Sequence, residues 1–90
     1  MNLNDLVFVK PTTALIRSRL VGLKENRWRV IAGPKRATTD DPKRDIKSGE
    51  IIWDVESTGP AAHLPGGMHD TRWVAERNLI PLMENPCVNL

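Results

Sequence analysis

Prolines and glycines cut this chain into pieces too short for a long helix or a membrane span. Pro11, Gly33-Pro34, Gly59-Pro60, Pro65-Gly66-Gly67 and Pro81 punctuate the sequence, and a missing amide proton or a positive φ is tolerated in turns far better than inside a regular element. Between them lie Leu6 to Lys10 (LVFVK), Ala14 to Leu23 (ALIRSRLVGL), Arg27 to Ala32 (RWRVIA), Glu50 to Glu56 (EIIWDVE) and Thr71 to Ala75 (TRWVA). These runs are rich in β-branched or aromatic residues, which predicts five short strands with no proline inside any of them. The expected fold class is all-β: a small five- to six-stranded barrel spanning residues 1–90 as one domain.

Length agrees with a single unit. Ninety residues bury only ~60–65% of the unfolded chain's surface on folding, so the core must be modest or helped by self-association. No apolar run approaches the ~20 residues that cross a bilayer, which argues against a membrane partner. The opening MNLNDLVFVK has no basic segment before an apolar one and no small-residue cleavage site, so a cytoplasmic location is expected. The single Cys87 forms no internal disulfide, in keeping with a reducing compartment.

Charge is unevenly placed although the net is only +2. Residues 1–36 hold eight Lys/Arg against Asp5 and Glu25, whereas residues 37–90 hold five against nine acids. Either the halves pack together and neutralise each other, or a basic surface is reserved for an anionic partner.

Residues Lys24-Glu25-Asn26 look like a three-residue hairpin loop joining the second and third runs, with Asn26 suited to a left-handed position. That loop pairs Leu23 with Arg27, Val21 with Arg29 and Arg19 with Ile31. Ile16, Leu20, Trp28 and Val30 then face a core, while Arg17, Arg19, Arg27 and Arg29 share the outer face. Four guanidinium groups on one ribbon suit phosphate contacts; alternatively they lie across Asp54 and Glu56 of a neighbouring strand. Exposed rings for base stacking are missing from this picture, because Trp28, Trp53 and Trp73 each fall on the apolar phase of their strand.

Two connections stand out. Residues 35–49 (KRATTDDPKRDIKSG) read as a long mobile loop, with a short helical turn beginning at Asp41 as N-cap and Pro42 in its first position. Residues 57–70 (STGPAAHLPGGMHD) read as a wide hairpin loop holding both histidines. His63, His69 and Asp70 would need a further ligand, such as Glu84 or Cys87, to hold a metal; with no HExxH or CxxC spacing, neither a metal nor another cofactor is expected. Cys87 lies in a tail, 84–90, expected to fray. No GxSxG, P-loop, GxGxxG or acid/base carboxylate motif occurs, which moves the reading away from catalysis and leaves no catalytic residue to name.

DTRWVAERNLIPL, residues 70–82, predicts a strand burying Trp73, a single turn at Ala75 to Asn78 carrying Glu76 and Arg77 outward, and a last short strand returning Leu79, Ile80 and Leu82 to the core. The motif W-V-x-E-x-N-L-I-P-L, after a V-F-V opening strand and a GEIIWDV central strand, resembles the closing segment of Src-homology-3-like small barrels. These include short proteins encoded by phages, plasmids and integron cassettes. The resemblance implies a closed small barrel with a 3-10 turn before its final strand, and it implies fold rather than function. The aromatic groove for polyproline ligands, the V-Q-I-Y segment of barrel-type plasmid dihydrofolate reductases and the Gly-rich opening of ribosomal barrels are not recognisable, so no functional residue is carried over.

Three functions fit: a protein-interaction module binding another protein or itself, a nucleic-acid-binding barrel using Arg17, Arg19, Arg27 and Arg29, and a small oligomeric enzyme with its site between subunits. The first is the leading expectation, because buried tryptophans leave the arginine face without stacking partners.

Overall fold

The computed structural model describes residues 1–23 and 25–82. Five strands, β1 (Leu6–Val9), β2 (Trp28–Arg36), β3 (Ile51–Ser57), β4 (Thr71–Ala75) and β5 (Leu79–Pro81), form one antiparallel sheet in the order β4-β3-β2-β1-β5. The sheet is not closed: β4 and β5 are its edges.

The chain is mostly β, and the exception lies at Ala14–Leu20, a seven-residue helix, α1, rather than half of a hairpin. Thr13 caps it, its Oγ1 accepting from the Ile16 amide at 3.3 Å. Ile16 is buried and Leu20 packs against the same core. A four-residue spacing satisfies a strand's period of two and a helix's i,i+4 face equally, so the apolar pattern does not decide between them. Ala, Leu and Arg, which fill five of the seven positions, are strong helix formers, and propensity settles it. Val21, expected in a strand, is 84% exposed just past the helix.

With α1 a helix, the Lys24-Glu25-Asn26 hairpin and its register do not form; Lys24 itself lies outside the described residues. Asn26 is not left-handed; among the described residues the non-glycine positions with positive φ are Asn4 and Asp45. Its side-chain amide instead acts as a surrogate strand neighbour. It donates to the Val9 carbonyl at 2.8 Å, accepts from the Val9 amide at 3.3 Å and accepts from Trp28 Nε1 at 2.9 Å.

The second strand runs four residues beyond Ala32 and contains Gly33 and Pro34. Register shifts against β3 fall between Val30 and Ala32 and between Ala32 and Lys35, and such irregularities are where a strand tolerates proline and bends. Gly33 has φ 123°, and a Cβ there would lie 2.9 Å from Trp53 Cε3. Glycine is therefore required both by conformation and by close approach. Pro81 likewise sits in a strand, at the sheet edge where its missing donor costs little.

The main core gathers Val7, Val9, Ile16, Trp28, Val30, Trp53, Val55, Val74 and Leu79 on one face. A smaller cluster of Ala37, Ile46, Ile52 and Ala75, with Trp73 packed against it, lies on the other. Trp28 and Trp53 are buried as expected, at 0% and 5% exposure. Trp73 is not: Val74 takes the main-core position on β4, and Trp73 stays half-buried on the opposite face.

Residues 35–49 are built rather than structureless. Lys35 and Arg36 extend β2, Ala37 and Gly49 exchange backbone bonds with neighbours across the loop's neck, and a 3-10 turn covers Pro42–Arg44 with Asp41 as its cap and Pro42 first. Ile46, the one aliphatic residue longer than alanine in the segment, is buried in the smaller cluster. In 57–70, Ser57 belongs to β3, and a 3-10 turn covers Pro65–Gly67. The closing segment follows the strand, 3-10 turn (Glu76–Asn78), strand order, with Leu79 buried, but Ile80 points outward at 41% exposure. The tail 84–90 lies outside the described residues.

Candidate functional site

The smaller apolar cluster does not close over itself. It floors a cleft of about 390 Å³ between α1, the 37–46 segment and the edge strand β4. Ala37, Ile46, Ile52 and the half-buried Trp73 supply apolar floor, while Arg19 from α1, Lys35 from β2, Arg44 from the 3-10 turn and Arg72 from β4 supply cationic side chains. Asp41 is the one acid lining it among the described residues.

Each cation is held differently. The Lys35 ammonium lies 5.0 Å from the Trp73 ring centroid, a cation–π contact that is weak when solvent reaches it. Arg44 bonds Asp41 at 2.8 Å, and this pairing is the main reason the Asp41 carboxyl titrates below the usual range. The wall carrying Arg19 and Arg44 is fixed by Thr13, whose hydroxyl caps α1 and donates to the Lys43 carbonyl at 2.6 Å. Arg72 is almost buried, paired with Asp70 and stacked 5.3 Å above the Trp28 ring. Burial lowers its pKa and the Asp70 charge opposes that shift; a guanidinium stays protonated regardless. Its Nε has no partner among the described residues.

Asp70, itself buried, holds two of the cleft's arginines. It receives Arg72, faces Arg19 at 3.8 Å and meets His63 Nε2 at 3.2 Å. Its amide donates to Ser57 Oγ, whose own hydroxyl donates to the Gly59 carbonyl at 3.1 Å rather than to a histidine. His69 Nδ1 sits 2.9 Å from the Ser57 carbonyl. The two histidines thus serve different partners. Glu84 and Cys87, named above as further ligands, lie outside the described residues, among which no group of three metal-ligating side chains occurs.

The four arginines of the expected ribbon do not share a face. Arg17 and Arg19 sit two apart on a helix, ~200° around its axis. Arg17 donates to the Pro11 carbonyl, and Arg29 pairs with Glu56 at 3.2 Å across the β2–β3 ladder, the cross-strand alternative anticipated above. Arg27 precedes β2, its carbonyl accepting from Thr58. Only Arg19 reaches the cleft. Sequence reasoning did not bring Lys35, Arg44, Arg72 and Trp73 together, because they lie on three elements far apart in sequence, β2, the first 3-10 turn and β4. The available signal was Trp73 itself: it shares a phase with exposed Thr71 and is opposed in that phase to Val74.

Scans against protein-family models, curated proteins and solved structures returned no match to this chain.

Proposed function

We propose that this chain is a nucleic-acid-binding module, with a Src-homology-3-like arrangement of strands, that takes its ligand in the cleft. The fold reading is supported by β1 pairing with both β2 and β5, so that the last strand returns to the first, and by the 3-10 turn between β4 and β5. The functional reading rests on one observation: four cations from separate elements line an apolar-floored cleft whose aromatic residue is half-exposed. A polyanion with flat apolar faces matches that chemistry. The absence of exposed rings argued against nucleic acid in the sequence, and Trp73 removes that objection.

The test is fluorescence anisotropy with labelled nucleic acids at about 50 and 200 mM salt, a range over which phosphate contacts change affinity steeply. Arg19→Ala/Arg44→Ala is expected to weaken binding and lower the slope of log affinity against log salt by roughly 2, one per lost phosphate contact. Arg17→Ala, on the far side of the same helix, leaves both unchanged. Equal losses in the two variants would reject the cleft as the site.

A protein-interaction module is the second reading. The free edge of β4 and the outward Ile80 on β5 favour it, since unpaired strand edges are templates for another chain. A mass in light scattering that rises with concentration supports self-association, and a constant monomer mass removes it.

A further inference from the structure

Resting on the nucleic-acid reading, we propose that the ligand is single-stranded and that one unpaired base stacks on Trp73, taking the place now held by the Lys35 ammonium. Trp73 lies on an edge strand and lines the cleft, with its indole supported by Ile52 and Ala75. Lys35 rests over the ring. A cation over a solvent-reached ring contributes only a few-fold to an equilibrium, whereas base–aromatic stacking contributes about 5- to 100-fold. The exchange is therefore favourable, and the flexible lysine stem lets the displaced ammonium follow the phosphate beside that base.

Shape selects against duplex. A paired base has both faces covered by its neighbours, so a double strand meets only the cationic rim and gains nothing from the ring. A cleft of about 390 Å³ lies at the lower end of the range that encloses a small ligand, which suits one flipped-out base with its phosphates on Arg19 and Arg44. The wall fixed by Thr13 places those two residues on the same side.

Trp28 and Trp53 are buried in the main core, but Arg72 of the cleft lies over the Trp28 ring, so a ligand-dependent change in indole emission is assigned to Trp73 by its loss in Trp73→Phe. The experiment titrates the full chain with short single-stranded DNA and RNA, with a hairpin duplex, and with a nucleoside monophosphate as competitor, following both emission and anisotropy. Single strands are expected to quench emission and bind more tightly than duplex. Trp73→Leu is expected to lose about 5- to 100-fold in single-strand affinity with its salt slope retained, and Trp73→Phe to recover most of it. Trp73→Phe also keeps the comparison valid should the leucine variant not fold.

Binding to wild type with unchanged emission, equal affinity for duplex, or a phenylalanine variant that binds no more tightly than a folded leucine variant overturns stacking while leaving the rim as a nucleic-acid site. A monophosphate competing as well as the strand overturns the strand. No salt-sensitive binding of any nucleic acid overturns this inference and the reading beneath it together.

Discussion

Replacing Asn26 by leucine is expected to cost about 2–4 kcal/mol of stability, a large part of the ~5–15 kcal/mol typical of a domain. Leucine keeps the branch point and heavy-atom count of asparagine while removing every polar atom, so the loss comes chiefly from hydrogen bonding. Asn26 satisfies both backbone groups of Val9 and the indole N–H of Trp28. Val9 and Trp28 are fully buried, and a buried donor or acceptor left without a partner costs about 1–3 kcal/mol. The three bonds share one side chain, so the losses do not simply add. Urea unfolding should show a lower midpoint with an unchanged slope. A change below about 0.5 kcal/mol, the usual range for an inconsequential surface substitution, would mean that water replaces the amide. The position matters for the cleft as well, because Asn26 fixes the start of β2 against β1 and the far end of β2 carries Lys35.

The strands were legible where alternation coincides with punctuation. β1, β3 and β4 lie within a residue of the runs LVFVK, EIIWDVE and TRWVA, and the 3-10 turn at Glu76–Asn78 follows from a polar step between two apolar ones. Elsewhere two physical periods overlap. Ile16 and Leu20 satisfy a strand and a helix alike, and the competing readings send Arg17 and Arg19 to one face or to nearly opposite sides. Ile46 was visible as a lone aliphatic side chain in a charged stretch, and its burial is what gives 37–46 a fixed place. The cleft could not be read because its parts are far apart in sequence: Arg19 and Arg72 meet through buried Asp70 only once α1 packs against the sheet. Asn26 shows a similar limit, since turn propensity describes its backbone and says nothing of an amide bonding seventeen residues away.

Arg77→Gln is expected to lower stability by about 1–2 kcal/mol at neutral pH, as a charge-assisted network exceeds a simple surface pair, and to flatten the acid limb of the stability curve. Arg77 bonds Asp45 at 3.0 Å and also reaches Glu50, tying the Glu76–Asn78 turn to the segment that floors the cleft. Asn78 adds a bond to Asp45 at 3.1 Å. Hydrogen bonds from Arg77 are the largest cause holding both the Asp45 and Glu50 carboxyls below their ordinary range, and the same partners raise the arginine. A depressed folded pKa means that the unfolded chain takes up protons first. The carboxylate contribution is therefore complete above the unfolded values near ~4 and drains away as pH falls below them toward the folded values. The raised arginine contributes nothing to this window, since it is protonated in both states far above it. Wild type should lose stability steeply as pH falls below about 4, and Arg77→Gln less so, because its carboxyls return toward ordinary values. Parallel curves would show that other carboxylates govern acid unfolding. If the network also holds Ile46 and Ala37 in place, the variant should bind nucleic acid more weakly at neutral pH with its salt slope intact, since it loosens the cleft floor without removing a phosphate contact.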